Sequence, residues 1–104
     1  MLKKTILALT LLVVPVVAFA EEWYKGGTLH NATAREWHQS TARNQLATSA
    51  DFVAAAKVAA NMEQLRTRAT AVRKCITEAT DDPDLYSQKV SEVAAACIVL
   101  LHYK

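Results

Sequence analysis

From Ala32 to Leu101 the apolar residues recur by threes and fours and never alternate, which is the spacing of helices that bury one face. Phe52, Ala56, Ala59, Met62, Leu65, Ala69, Val72, Ile76 and Ala79 hold one slowly drifting stripe. That stripe predicts a long helix over 49–79, bent or broken where the face weakens near Asn61 or Thr67. Tyr86, Val90, Val93, Cys97 and Leu101 predict a further helix over 83–102. A short helix over 34–43 precedes both, with Asn44 taking a left-handed position at its end and Leu46 dropping toward the core. The fold class expected is all-α, a small three-helix domain. Alanines at 54–56 and 94–96 allow helix backbones to approach closely.

The helix boundaries carry chemical signals. Ala32-Thr33-Ala34-Arg35-Glu36-Trp37 and Ala47-Thr48-Ser49-Ala50-Asp51-Phe52 repeat one pattern: Thr as N-cap, an acid three residues on to close a capping box, and an aromatic at N4. Asp82 before Pro83 reads as an N-cap followed by proline at N1. Both glycines, Gly26 and Gly27, mark a turn, so Trp23-Tyr24-Lys25-Gly26-Gly27 reads as an N-terminal aromatic arm.

Ahead of this pattern lies a different one. Lys3 and Lys4, the apolar run Ile6–Val17 and Ala18-Phe19-Ala20 have the layout of a signal peptide cleaved after Ala20. The run is shorter than the ~20 residues of a bilayer span. The mature domain expected is therefore 21–104, periplasmic or secreted, with no membrane span. Without Lys3 and Lys4 it has ten Lys plus Arg against ten Asp plus Glu. A neutral domain has no electrostatic footprint for nucleic acid. Arg66, Arg68, Arg73 and Lys74 complement the end of the long helix, and Asp81, Asp82 and Asp84 the start of the next.

No catalytic or cofactor motif is present: there is no G-x-S-x-G, H-E-x-x-H or phosphate-binding glycine loop. His30, His38 and His102 lack metal-ligand spacing. The reading is a non-enzyme with no cofactor and no metal. Any ligand cleft is expected beneath the arm, from Trp23, Tyr24, Lys25, His30, Trp37 and His38.

Cys75 and Cys97 are the only cysteines, and in an oxidising compartment they predict a structural disulfide. Two buried free thiols or an intermolecular bridge are the competing arrangements. Cys97 lies about 20 Å along a helix that starts at Pro83, against about 6 Å from Cys75 to Ala79. The bridge therefore requires 80–83 to run extended for about 10 Å before the chain turns back. In the chain-entropy model the cross-link adds about 3 kcal/mol. Ile98, Val99, Leu100 and Leu101 point all around their helix, so Val99 or Leu100 is expected to reach the aromatic arm or a second subunit.

Gly26-Gly27-Thr28-Leu29-His30, Trp37 and the run from Asn44 to Phe52 resemble a pattern in small exported bacterial proteins of unassigned function. In outline, the two-cysteine helical layout is also similar to periplasmic immunity proteins that block cell-wall hydrolases, and to acid-stress chaperones. The expectation is a protein that binds a protein partner in the cell envelope, as an inhibitor or immunity-type module, with a homodimer as a further possibility. The alternative is an acid or envelope-stress chaperone that opens as its carboxylates protonate.

Overall fold

The computed structural model describes residues 22–104. The leader and its cleavage point lie outside these residues. The described chain is all-α: α1 (Ala34–His38), α2 (Ala42–Ala55), α3 (Met62–Ala79), a 3-10 turn (Pro83–Leu85) and α4 (Val90–Leu100). A single antiparallel bridge, Thr33 to Lys89, is its only extended pairing. No described helix is long and apolar enough to cross a membrane.

The expected capping box forms at α1. The Glu36 amide donates to Thr33 Oγ1 over 3.3 Å, and the Thr33 amide donates to Glu36 Oε1 over 2.9 Å. Trp37 follows at N4 and is fully buried. The first helix ends at His38 rather than at 43, because Thr41 adopts an extended conformation and caps the next helix through the Asn44 amide. Asn44 consequently lies in the first turn of α2, not in a left-handed position, and Thr48 sits in the helix interior without acting as a cap.

The predicted 49–79 helix is two helices. Lys57 has φ 59°, its amide donates to the Ala54 carbonyl, and the Val58 amide reaches back to Val53. This pair of reversed bonds is a Schellman termination with Lys57 where glycine is usual. Val53 and Val58, the two apolar partners of that motif, are both buried. Asn61 then caps α3 through the Gln64 amide, so the break falls at the weak point around Asn61, and Thr67 is mid-helix. Ala56 and Met62, which flank this break, are exposed, and so is Ala79 at the far end of α3.

The last helix starts at Val90, not at 83. Asp82 and Pro83 form the predicted cap, but they open a single 3-10 turn. The chain leaves that turn to stitch onto α1, where the carbonyls of Gln88 and Tyr86 accept from the amides of Ala34 and Arg35, and Val90 donates to Ala32. Two amides of the first turn of α1, which a helix cannot satisfy internally, are paired in this way. Tyr86 is half-buried in this loop instead of on the α4 stripe.

This late start resolves the geometry of the cross-link. Cys75 and Cys97 are joined, with Cα atoms 5.9 Å apart. Counted from Val90, Cys97 lies only about 10 Å along its helix, close to the ~6 Å from Cys75 to Ala79. The expected extended 80–83 linker is replaced by a ten-residue connection containing the 3-10 turn. Trp37, Val53, Val72, Ile76, Val90, Ala94 and Cys97 form the centre of the core, and Ala69 is buried on the same α3 face.

α4 ends as α2 does. His102 has φ 60°, its amide donates to Val99, and the Tyr103 amide reaches Ile98. Arg68 joins the two terminations, because its Nη1 donates to the Val58 carbonyl over 2.5 Å and its guanidinium lies 4.4 Å from the Tyr103 ring centroid.

Candidate functional site

The six residues expected around a cleft fall into separate contact groups. Trp37 is inside the core, where its Nε1 donates to Thr77 Oγ1 over 3.0 Å. With no exposed face, it anchors α1 and offers nothing to a ligand. His38 lies on the other side of α1, with Nε2 2.8 Å from Thr80 Oγ1 and its ring stacked on Tyr86. The Thr80 hydroxyl donates to the Ile76 carbonyl, so His38 Nε2 takes the donor role. Arg35 covers Tyr86 as well, 5.3 Å from its centroid, and this packing holds α1 onto the 3-10 region.

His30 contacts α2. Its Nε2 lies 2.7 Å from Asp51 Oδ2, and its ring meets Phe52 edge-on. A His–Asp pair is half of a general-base arrangement, but no Ser, Thr or Cys bonds to this imidazole among the described residues. No described group of three His, Cys, Asp or Glu residues has the placement to hold a metal ion.

Trp23, Tyr24 and Lys25 form a turn with Glu22 in which the two aromatic residues are half-buried and the two charged ones exposed. The Tyr24 hydroxyl donates to Glu22 Oε2 over 2.5 Å, and Lys25 Nζ lies 3.2 Å from Glu22 Oε1. The hydrogen bond from Tyr24, followed by that from Lys25, holds the Glu22 carboxyl below its ordinary range. The same contacts with Glu22 raise the Tyr24 phenol and the Lys25 ammonium. Trp23 packs under Arg66 of α3, whose guanidinium lies 4.9 Å from the ring centroid.

Between these groups runs a strap that the sequence pattern did not predict. Thr28 donates its amide to Asn44 Oδ1 over 2.9 Å and accepts from Asn44 Nδ2 over 2.8 Å. The Leu29 amide donates to Thr48 Oγ1, and His30 pairs with Asp51. Residues 28–30 therefore run along one face of α2 through positions 44, 48 and 51, an i, i+4, i+7 series. Gly27 makes this possible, since a Cβ there would stand 2.6 Å from the Thr48 amide nitrogen. The signal available in the sequence was Gly27-Thr28 together with Asn44 and Thr48 one helical turn apart. Nearby, the buried Gln45 donates to the Trp37 carbonyl and accepts from Arg73, tying α1, α2 and α3 together. Each of these groups is satisfied by the fold itself.

Among the described residues the exposed large apolar side chains are Met62, at the start of α3, and the adjacent pair Val99 and Leu100 on α4. Val99 is 72% exposed and Leu100 68% exposed, so neither reaches the aromatic arm. The arm's Trp23 engages α3 instead. Along α4 the exposed positions form two columns, Ser91-Ala95-Val99 and Glu92-Ala96-Leu100, each stepping by four. The ridge is low at the alanines and high at Val99 and Leu100. Depressions of about 340 Å³ and about 330 Å³ flank it, the first on the Phe52, Ala55 and Ala56 side, the second on the Leu85, Val93 and Thr80 side. Cys97, buried on the opposite face, fixes the helix to α3 through the disulfide.

Compared with known proteins, the chain matches no family model, no curated protein and no solved structure.

Proposed function

We propose that this is a small exported protein that acts by binding a protein in the cell envelope, as an inhibitor or immunity-type module, through the exposed ridge of α4. One observation carries this reading. Val99 and Leu100 stand in solvent on a helix that a disulfide clamps to the core one turn away. Large apolar side chains on a rigid, cross-linked element keep their arrangement before contact, which lowers the ordering cost of association. The His, Trp and Gln groups of the fold support no competing chemical role, since their partners are internal.

The chaperone alternative has less support. Opening at low pH is driven by carboxylates that are paired or buried in the native state. No described Asp or Glu is buried, and the paired ones, Glu22, Glu36 and Asp51, are exposed, where such pairing contributes little. Dye binding measured from pH 7 to pH 3 is expected to stay flat, and a rise in apolar dye binding would favour the chaperone.

Photo-cross-linking in cells, from an unnatural residue at position 100, tests the binding reading. Protein adducts are expected from position 100 and not from position 78, and Val99→Asp should remove them. Absence of any adduct from position 100 would count against the reading.

A further inference from the structure

Taking the α4 ridge as the contact surface, we infer that in the free protein it is covered by a second copy of this chain, bound antiparallel about a two-fold axis perpendicular to α4. The inference rests on the order of side chains up the ridge. At successive turns it presents Ser91 and Glu92, then Ala95 and Ala96, then Val99 and Leu100, and beyond the helix the exposed cation Lys104. The levels on the helix therefore run acidic, small, large, and past His102, where φ is 60°, the chain turns off the ridge. Reversing one copy against another about Ile98 sets small against large, twice over. Ala96 then faces Leu100 of the second copy.

Two features of the surface agree with this register. The depressions beside the ridge lie alongside its low half, where Ala95 and Ala96 form part of their walls. A Val99–Leu100 pair crossing at that level fills space that the alanines leave open. Lys89 caps the start of α4, but the connection leading to it is net acidic, and the charge past the other end is basic. Asp81, Asp82 and Asp84 are exposed in the connection leading to its start, while Arg68 packs against Tyr103 past its end. A parallel pair would place like ends together and large residues against large. An isologous contact of this kind is self-complementary and closes at two copies.

The contact is one helix ridge per copy, below the area of a standard stable interface, so association is expected on the order of 10–100 µM. Sedimentation equilibrium of the disulfide-intact protein, up to about 1 mM, reads it directly. Leu100→Asp should weaken association at least tenfold while leaving the helical circular dichroism unchanged, since position 100 is in solvent in the single copy. Ala96→Leu alone and Leu100→Ala alone should each weaken it. The double variant Ala96→Leu/Leu100→Ala exchanges large and small at facing positions, and should recover association to within about threefold of the original protein.

A protein that is monomeric at 1 mM, or a Leu100→Asp variant that associates as before, overturns the inference. So does a double variant no better than the singles, which would remove the antiparallel register. The binding reading fails separately. If the protein is monomeric but position 100 still cross-links to a different envelope protein, the second-copy inference falls and the binding reading stands. If position 100 yields no adduct of either kind, both fall.

Discussion

Residues 32–37 and 47–52 are written in nearly the same chemistry, yet they do opposite work. In the first, Thr33 caps α1, Glu36 closes the box, and Trp37 is driven into the core. In the second, Thr48 and Asp51 are mid-helix, with the Thr48 hydroxyl accepting from the Leu29 amide and Asp51 holding His30. The difference lies upstream. Thr41 finds the Asn44 amide and starts α2 early, so the cap duty is already filled when the chain reaches Thr48. Not needed as a cap, the second pair receives the strap, with the Thr48 hydroxyl also donating to Asn44 Oδ1. A capping motif is thus a local option that a tertiary contact can redirect.

The largest way to test this comparison is at the two aromatics, Trp37 and Phe52. Trp37→Ala should cost about 3–5 kcal/mol, which leaves little of the stability of a domain this size. Phe52→Ala, on a half-buried ring, should cost about 1–2 kcal/mol. Urea denaturation of both variants measures the pair, and equal losses would break the contrast.

Gly27→Ala comes next. Its Cβ would meet helix backbone at 2.6 and 2.7 Å, so the strap must lift rather than the neighbour yield. A loss of about 1–3 kcal/mol is expected. In a double-mutant cycle with Thr48→Val the two losses should fall well short of additive, because a lifted strap has already given up the Leu29 bond. Full additivity would show that Gly27 and Thr48 act apart.

Thr33→Ala and Thr48→Val sharpen the contrast more finely. Each should cost about 1 kcal/mol, the first as a lost cap and the second as a lost long-range hydrogen bond. Amide hydrogen exchange separates them. Thr33→Ala should speed exchange in the first turn of α1, and Thr48→Val at Leu29, with the α2 amides unchanged.

The smallest effect lies ahead of the strap, at Glu22. Its folded pKa is held below the ordinary value of 4.5, so its contribution to the 22–25 turn is present above that value. The contribution is lost as pH falls through the lowered folded pKa. NMR shifts of Tyr24 and Lys25 should follow that titration, and Glu22→Gln should abolish it without changing the strap.

Much of this fold was legible in the sequence wherever one local signal had no competitor. The Thr33–Glu36 box, the Asp82–Pro83 cap and the Cys75–Cys97 pairing are of that kind. The two helix ends at Lys57 and His102 were not, because a left-handed residue without glycine leaves no mark in the composition. The start of α4 was hidden by Pro83, whose signal was spent on a 3-10 turn. The cleft grouping of His30, Trp37 and His38 followed closeness along the chain. The break at Thr41 and the burial of Trp37 turn those side chains toward α2, the core and the 3-10 region respectively. The exposure of Val99 and Leu100, in contrast, follows from four consecutive apolar residues on a single helix.

The Cys75–Cys97 link also sets how the molecule bears load. Tension applied at its two ends passes from α3 across the sulfurs into the last turn of α4, bypassing the chain between them. With a sequence separation of 22, that segment would contribute roughly 70 Å of extension if it were free. While the bridge is intact, a pulled molecule should therefore come up short by about that length, and a reductant should restore it. The same closed loop obstructs any machine that threads chains singly, since it must admit two strands abreast or reduce the bond first.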